Sequence, residues 1–437
     1  MPSASSDVPA ASDGRDLWRD SDFRRLWLGQ SASQLGEHAG LVILPLYAVL
    51  TLGVGADQLG VLRAVGQAPI LLLSLLAGAW VDRWRTRTVM VWADAGRALA
   101  FGAAAVSALL GGLGLPALLA VTFAVGTLSV FFDVAYQSSL VRLVRRDQLV
   151  RGNSALEGSR SAAQIGGPAL GGALVSLLSV PVAAVSGALF FALSFLSIRR
   201  IRRSEEIPER SARPVRTGRR ILEGLRFVAT SPLRTVCLAS AAFQLFLAAM
   251  MTAYLLFLPR ELHLTGTAVG LVLAATGPGA LLGSVLAARL PGRFGHGPVL
   301  VTAAALGDGV LLCVPALHGS SATTLAALLA VNFVFGTFGQ LVNVTVMAVR
   351  QALTPAGMQG RAAATVTFVG MGMTPLGSLL GGFLAQEWGL RTALLVTAAG
   401  MMLSPVLMAA SPLARLGPVL DGPSDVAEHP RKPAQSA

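Results

Sequence analysis

Twelve stretches of this chain are each apolar and long enough to cross a lipid bilayer as a helix, which takes about 20 residues. They lie roughly at 24–51, 58–81, 88–112, 115–137, 155–178, 180–198, 233–257, 268–290, 298–317, 322–346, 361–385 and 391–411. Backbone exposed to lipid must satisfy its own hydrogen bonds, which leaves only helices or closed barrels. These continuous runs lack the short alternating pattern of barrel strands. The sequence therefore predicts an all-α membrane protein with twelve transmembrane helices, numbered below as spans 1 to 12. Composition agrees, with 13% of the 437 residues charged against about 25% in an ordinary soluble domain. The 48 glycines suit membrane helices, which approach one another through small residues.

The net charge of +12 raises the possibility of nucleic acid, but its distribution points elsewhere. With the N-terminus in the cytoplasm, 29 of the 34 cations fall on the cytoplasmic side. Arg260 and Arg391 fall outside, and Arg63, Arg97 and Arg160 lie within spans. That bias is the positive-inside pattern. It predicts a multi-pass protein of the cell membrane with both termini cytoplasmic, the lipid bilayer as its surroundings and no nucleic acid partner. The polar N-terminus has no cleavable apolar leader, so span 1 serves as the insertion signal. Cys237 and Cys313 both sit in apolar segments, which argues against a disulfide framework or a metal site.

The longest polar stretch separates span 6 from span 7. The expected order is a disordered cytoplasmic N-terminus (1–22), a six-helix bundle (23–198), a basic cytoplasmic linker (199–232), a second six-helix bundle (233–413) and a disordered cytoplasmic tail (414–437). A shift of 210 residues superposes Gln34 on Gln244, Gly60 on Gly270 and Arg83 on Arg293. Two pseudo-symmetric bundles with a substrate site between them at mid-membrane form a known transporter plan.

Ionisable groups at membrane depth are costly and tend to face an interior cavity. Glu37 has no cation within one helical turn except its neighbour His38. An isolated buried carboxyl is suited to bind and release protons, so Glu37 leads the proton-coupling candidates, followed by His38, Asp133 and Asp308. Asp133 is open to a second reading, as part of a cytoplasmic gate. Asp94 with Arg97 and Glu157 with Arg160 are three residues apart and can pair on one helix face. Gln34, Gln244, Asn332, Gln340 and Asn343 can either place hydrogen bonds in the central cavity or join helices. No glycine-rich loop ends in Gly-Lys-Ser/Thr, so ATP is not the expected driving force. No enzyme motif or cofactor site is expected.

The loop after span 2 reads GAWVDRWRTR. Gly78, Asp82, Arg83 and Arg87 match the signature of the major facilitator superfamily in this loop, whereas Arg85 departs from it. The resemblance implies that these residues form a cytoplasmic gate, with Asp82 approaching the start of span 11. In the second half, ARLPGR keeps Arg293 but has Ala288 and Gly292 where glycine and aspartate would stand. Span 5 carries GGPALGG, that is Gly166, Gly167, Pro168, Gly171 and Gly172. This is similar to the antiporter motif of exporting members, although small-residue packing alone produces such patterns. MTPLGSLLGG in span 11 is a looser echo, with Pro375 set against Pro168 at an offset of 207. FFDVAYQSSLVRLV (131–144) and the following NSALEGSRSAAQIGGPALGG resemble the branch containing the enterobactin exporter and macrolide-efflux proteins. Span 4 lacks the arginine that many drug:proton antiporters carry near its start.

The resemblance covers about Arg24 to Leu413 and implies a major facilitator fold. It further implies a monomeric secondary transporter in which protons drive efflux of a small amphipathic molecule (drug, siderophore or secondary metabolite) by alternating access. Two alternatives stay open at this point: proton-coupled uptake of a nutrient, and a non-transporting membrane receptor or assembly factor.

Overall fold

The computed structural model describes residues 16–81, 84–144, 148–178, 180–203, 217–355 and 358–419. Secondary structure among these residues is entirely helical. After α1 (Asp16–Arg19), the first half consists of α2 (Ser21–Leu50), α3 (Ala56–Val81), α4 (Thr86–Leu109), α5 (Leu115–Leu143), α6 (Leu149–Leu178) and α7 (Val180–Arg199). α8 (Thr217–Thr230) precedes the second half, which opens with α9 (Leu233–Arg260) and a split helix, α10 (Gly266–Ala274) with α11 (Thr276–Ala287). The short α12 (Leu290–Phe294) leads to α13 (His296–Gly309), which continues as a 3₁₀ turn over Val310–Ala316. Then follow α14 (Ala322–Leu353), α15 (Gln359–Trp388), and α16 (Leu390–Met401) with α17 (Leu403–Ala409). The twelve apolar stretches coincide with these helices, their ends agreeing to within seven residues. Among the described residues, nine helical segments are long and apolar enough to cross a membrane.

Local chemistry sets several boundaries. The Asp20 carboxylate accepts the backbone N–H of Asp22 at 2.8 Å, capping α2. Thr265 and Ser321 cap α10 and α14 in the same way. Gly389 takes φ +80°, a left-handed conformation open to glycine, and so turns the chain between α15 and α16.

The 210-residue repeat is written into the packing. A Cβ built on Gly171 would lie 2.7 Å from the Ala39 carbonyl oxygen, and one on Gly381 2.1 Å from that of Ala249. Gly126 meets the Gly66 carbonyl and Gly336 that of Thr276 in the same manner. Each contact recurs in the other half at a shift of 210, so the two six-helix bundles are built alike. Span 11 therefore matches span 5 through Gly377, Gly381 and Gly382. Pro168 corresponds to Ser378, which corrects the offset of 207 drawn from Pro375.

The cores show how the bundles meet. One apolar cluster joins Ile43, Leu46 and Leu59 of the first half to Tyr254, Leu258 and Leu384 of the second. It lies at the end carrying Gly55, Arg260 and Arg391, and there the Arg260 guanidinium donates to the Val54 carbonyl at 2.6 Å. At the opposite, arginine-rich end the cores are separate. Phe23, Phe132 and Leu156 belong to a cluster made only of first-half residues, while Val236, Val349 and Ala362 belong to one made only of second-half residues.

Some segments expected to lack structure are helical. Residues 16–22 form α1 and the first turn of α2, because Asp22 accepts backbone N–H groups of Arg202 at 3.2 Å and Arg203 at 2.9 Å. The tail is tied down through residue 417, where the N–H of His296 donates to the Gly417 carbonyl at 3.1 Å. The basic linker contains α8, whose Val228 is buried and whose Glu223 pairs with Arg361 at 3.0 Å. The remainder of the expected disordered termini, residues 1–15 and 420–437, lies outside the described residues.

Candidate functional site

In the first half, α2, α4, α5 and α7 converge on Arg97, a fully buried arginine. Its guanidinium pairs with Asp94 one turn away at 2.5 Å and donates to Ser33 at 2.8 Å and Ser129 at 3.2 Å. It also stacks against Phe132 and Phe191, at 4.4 and 4.6 Å from their ring centres. Asp94 accepts further hydrogen bonds from the hydroxyls of Ser33 and Ser194. Burying such a charge is tolerable only with this degree of pairing.

The same arginine corrects the expectation of an isolated Glu37. The Glu37 carboxylate lies 3.5 Å from the Arg97 guanidinium, with its side chain 23% exposed. The cation comes from α4, sixty residues away in sequence, so counting within one turn of α2 could not find it. Asp133 accepts a long hydrogen bond from the Gln34 amide at 3.5 Å, which brings two candidates together. His38 instead sits where α6 crosses α2, with its Cβ 2.5 Å from the place a Gly167 Cβ would occupy. Glu157 and Arg160 do pair, at 3.6 Å, but both are about half exposed, and surface pairs of this kind contribute little.

In the second half, α9, α13, α14 and α15 surround a cavity of about 310 Å³. Gln244, Asp308 and Asn343 line it. Asp308 is 4% exposed, and its Oδ2 is buried without a hydrogen-bond partner. Asn332 is not in this cavity lining. Its amide donates to the Tyr254 hydroxyl at 2.8 Å and the Leu328 carbonyl at 2.9 Å, a contact between helices. Gln340 packs against Gly283 of α11.

The glycine motif of α6 has a defined place. Gly167 and Gly171 let α6 press against α2, and Gly172 meets Gly270 of α10 across the boundary between halves, where an added Cβ would lie 2.4 Å from the Gly270 Cα. Gly382 makes the mirrored contact with Gly60. Of the gate motif, Gly78 lies in α3 and Arg87 donates to the Arg199 carbonyl. Asp82 and Arg83 lie outside the described residues.

Two like bundles with a buried polar centre in each define a major facilitator transporter. The chain matches the family described as transmembrane secretion effector over residues 17–431, and it belongs to that family of the superfamily. It is 27% identical over 405 residues to the multidrug efflux pump Tap of Mycolicibacterium fortuitum, an alignment covering 84% of this chain and 95% of that one. In fold it is similar to the nucleoside transporter NupG, with a TM-score of 0.72, 13% identity, and coverage of 89% of this chain and 98% of that one. A bacterial homologue of the iron transporter ferroportin in an inward-facing state overlaps with a TM-score of 0.71 at 18% identity, covering 89% and 97%. The chain is thus a multi-pass membrane transporter of small molecules and not an enzyme.

Proposed function

We propose that this transporter exports small amphipathic organic molecules from the cell in exchange for protons, by alternating access of a central cavity. The observation that carries the alternating-access reading is the asymmetry of the two ends. Backbone-to-backbone glycine contacts seal the halves at the end bearing Gly55, while separate cores leave them apart at the arginine-rich end. The positive-inside pattern puts the arginine-rich end, and both termini, in the cytoplasm. All twelve helical segments cross the bilayer in this reading, and the halves then part on the cytoplasmic side. Export is supported by the likeness to a multidrug efflux pump and by the glycine motif of α6.

Glu37 is the coupling carboxylate in this reading. Protonating it removes its attraction to Arg97, and that links proton binding on α2 to the packing of α4. Asp133, beside Gln34, extends the same polar centre. Asp82, Arg83 and Arg87 act as the cytoplasmic gate when the arginine-rich end closes.

The test is transport into everted vesicles with an imposed proton gradient, using tetraphenylphosphonium, a macrolide and a catechol siderophore. Accumulation of at least one that disappears when the gradient is collapsed is expected, as is its loss in Glu37→Gln. Gradient-driven accumulation by Glu37→Gln at the wild-type rate removes Glu37 from the role. Movement out of everted vesicles reverses the direction.

A further inference from the structure

The cavity in the second half stands where the Arg97 network stands in the first. At the 210-residue shift fixed by the glycine contacts, Gln244 corresponds to Gln34 and Asn343 to Asp133. The positions that correspond to Arg97, Asp94 and Ser129 are Gly307, Ala304 and Gly339, and all three line the cavity. The space that a guanidinium and its partners fill in one bundle is therefore open in the other. The carboxylate facing that space is Asp308, one residue beyond the Arg97 counterpart. It is 4% exposed, with Oδ2 buried and without a hydrogen-bond partner. Among the described residues no cation lies within salt-bridge distance of it. The cation in the lining is Arg350, on α14 seven residues from Asn343 toward the arginine-rich end, hence about 10 Å further along the helix axis.

We propose that this cavity is a recognition site for the cationic group of a transported molecule, an ammonium, phosphonium or guanidinium, with Asp308 as its counter-charge. The molecule supplies from outside what Arg97 supplies from within the first bundle. A carboxylate buried without a partner is costly, and a cation of about arginine size is the group that offsets the cost. Gln244 and Asn343 offer neutral hydrogen bonds at the rim, and the apolar wall formed by Phe243, Val342 and Met371 suits the hydrophobic part of such a molecule. The lack of any side chain at Gly307 and Gly339 keeps the volume available. Arg350, in the same lining, repels a cation, so the charged group of the ligand sits away from it, at the Asp308 end of the cavity.

The inference rests on the transport reading but is tested apart from it, by binding to the purified full-length chain in lipid nanodiscs. The probes are tetraphenylphosphonium and dodecylguanidinium, with neutral triphenylphosphine oxide as control. Losing a charge-assisted contact of this kind weakens binding by about tenfold or more. Asp308→Asn is expected to lose that much affinity for both cations, to change triphenylphosphine oxide binding by less than about twofold, and to melt no lower than wild type, since no hydrogen bond to Oδ2 is removed. Asp308→Glu is expected to restore cation binding in part. Wild-type affinity of Asp308→Asn for the cations, equal loss for cation and neutral control, or no cation binding by the wild type overturns the site. Asp308-dependent binding without vesicle transport would leave the site standing and remove the export reading; gradient-driven cation transport unaffected by Asp308→Asn would do the reverse.

Discussion

Replacing Arg97 by methionine is the most demanding perturbation that the first bundle offers. Methionine keeps much of the volume and removes the charge. It strips Asp94 of a partner at 2.5 Å and Glu37 of one at 3.5 Å, leaving Asp94 with two serine hydroxyls in a fully buried position. Breaking one side of a buried ion pair costs about 3–5 kcal/mol, and the lost contacts with Phe132 and Phe191 push the value to the upper part of that range. For a bundle of this size the expected fall in melting temperature is about 10 °C. Thermal unfolding in nanodiscs, followed by tryptophan fluorescence, reads it directly. Asp94→Asn alone should also destabilise, because it removes the nearer of the two carboxylates paired with Arg97 and leaves the more distant Glu37. The double variant should recover about 2 kcal/mol relative to the sum of the singles, since neither charge is then stranded. Additive single effects, or a shift of less than about 2 °C in Arg97→Met, refute the view that this network is held by mutual compensation.

Other outcomes follow from individual contacts. Gly172→Ala places a Cβ 2.4 Å from the Gly270 Cα; overpacking of about 1–3 kcal/mol at the seal should shift the population toward an opened Gly55 end, seen as faster thiol labelling of a cysteine introduced at the buried Val54, whereas unchanged labelling contradicts the seal. Asp22 lies before the apolar span, where burial works to raise its carboxyl pKa but the N–H groups of Arg202 and Arg203 and the Arg25 guanidinium outweigh it and hold the value below normal. A depressed carboxyl stabilises the fold above its unfolded value of about 3.9 and loses that contribution as pH falls through the folded value, so the melting gap between wild type and Asp22→Asn should be constant from pH 5 to 8 and close below about pH 4. Tyr254→Phe removes the hydroxyl that the buried Asn332 amide donates to and should cost about 1 kcal/mol without changing transport direction or substrate, measured by melting and vesicle uptake together.

The helical architecture was legible because lipid forces long apolar runs into helices, and the runs of this chain mark their ends to within seven residues. α8 and residues 16–22 were not, because their mixed polar sequence becomes ordered only through tertiary partners such as Arg361 and the Arg202 and Arg203 backbone. The Asp94 and Arg97 pair was legible because both members sit on one helical turn. The contact of Glu37 with Arg97 was not, since it joins α2 to α4. Serines 33, 129 and 194, which complete that centre, carry no signal in a chain rich in small residues. The cavity escaped notice for a different reason: it is made by glycines and an alanine standing where its counterpart has Arg97, Ser129 and Asp94, and the absence of side chains becomes visible only once the glycine contacts fix the register of the repeat.

The central claim is that the two bundles exchange which end is sealed. Spin labels at Arg151 and Arg289, exposed on the arginine-rich end of each bundle, and at Gly112 and Ser320, exposed on the other, report both ends when Cys237 and Cys313 are replaced by serine. Adding a transported cation or changing pH should lengthen the Gly112–Ser320 distance while shortening the Arg151–Arg289 distance in the same fraction of molecules. Distances that stay fixed at both ends under every condition, in a chain that still transports, contradict it.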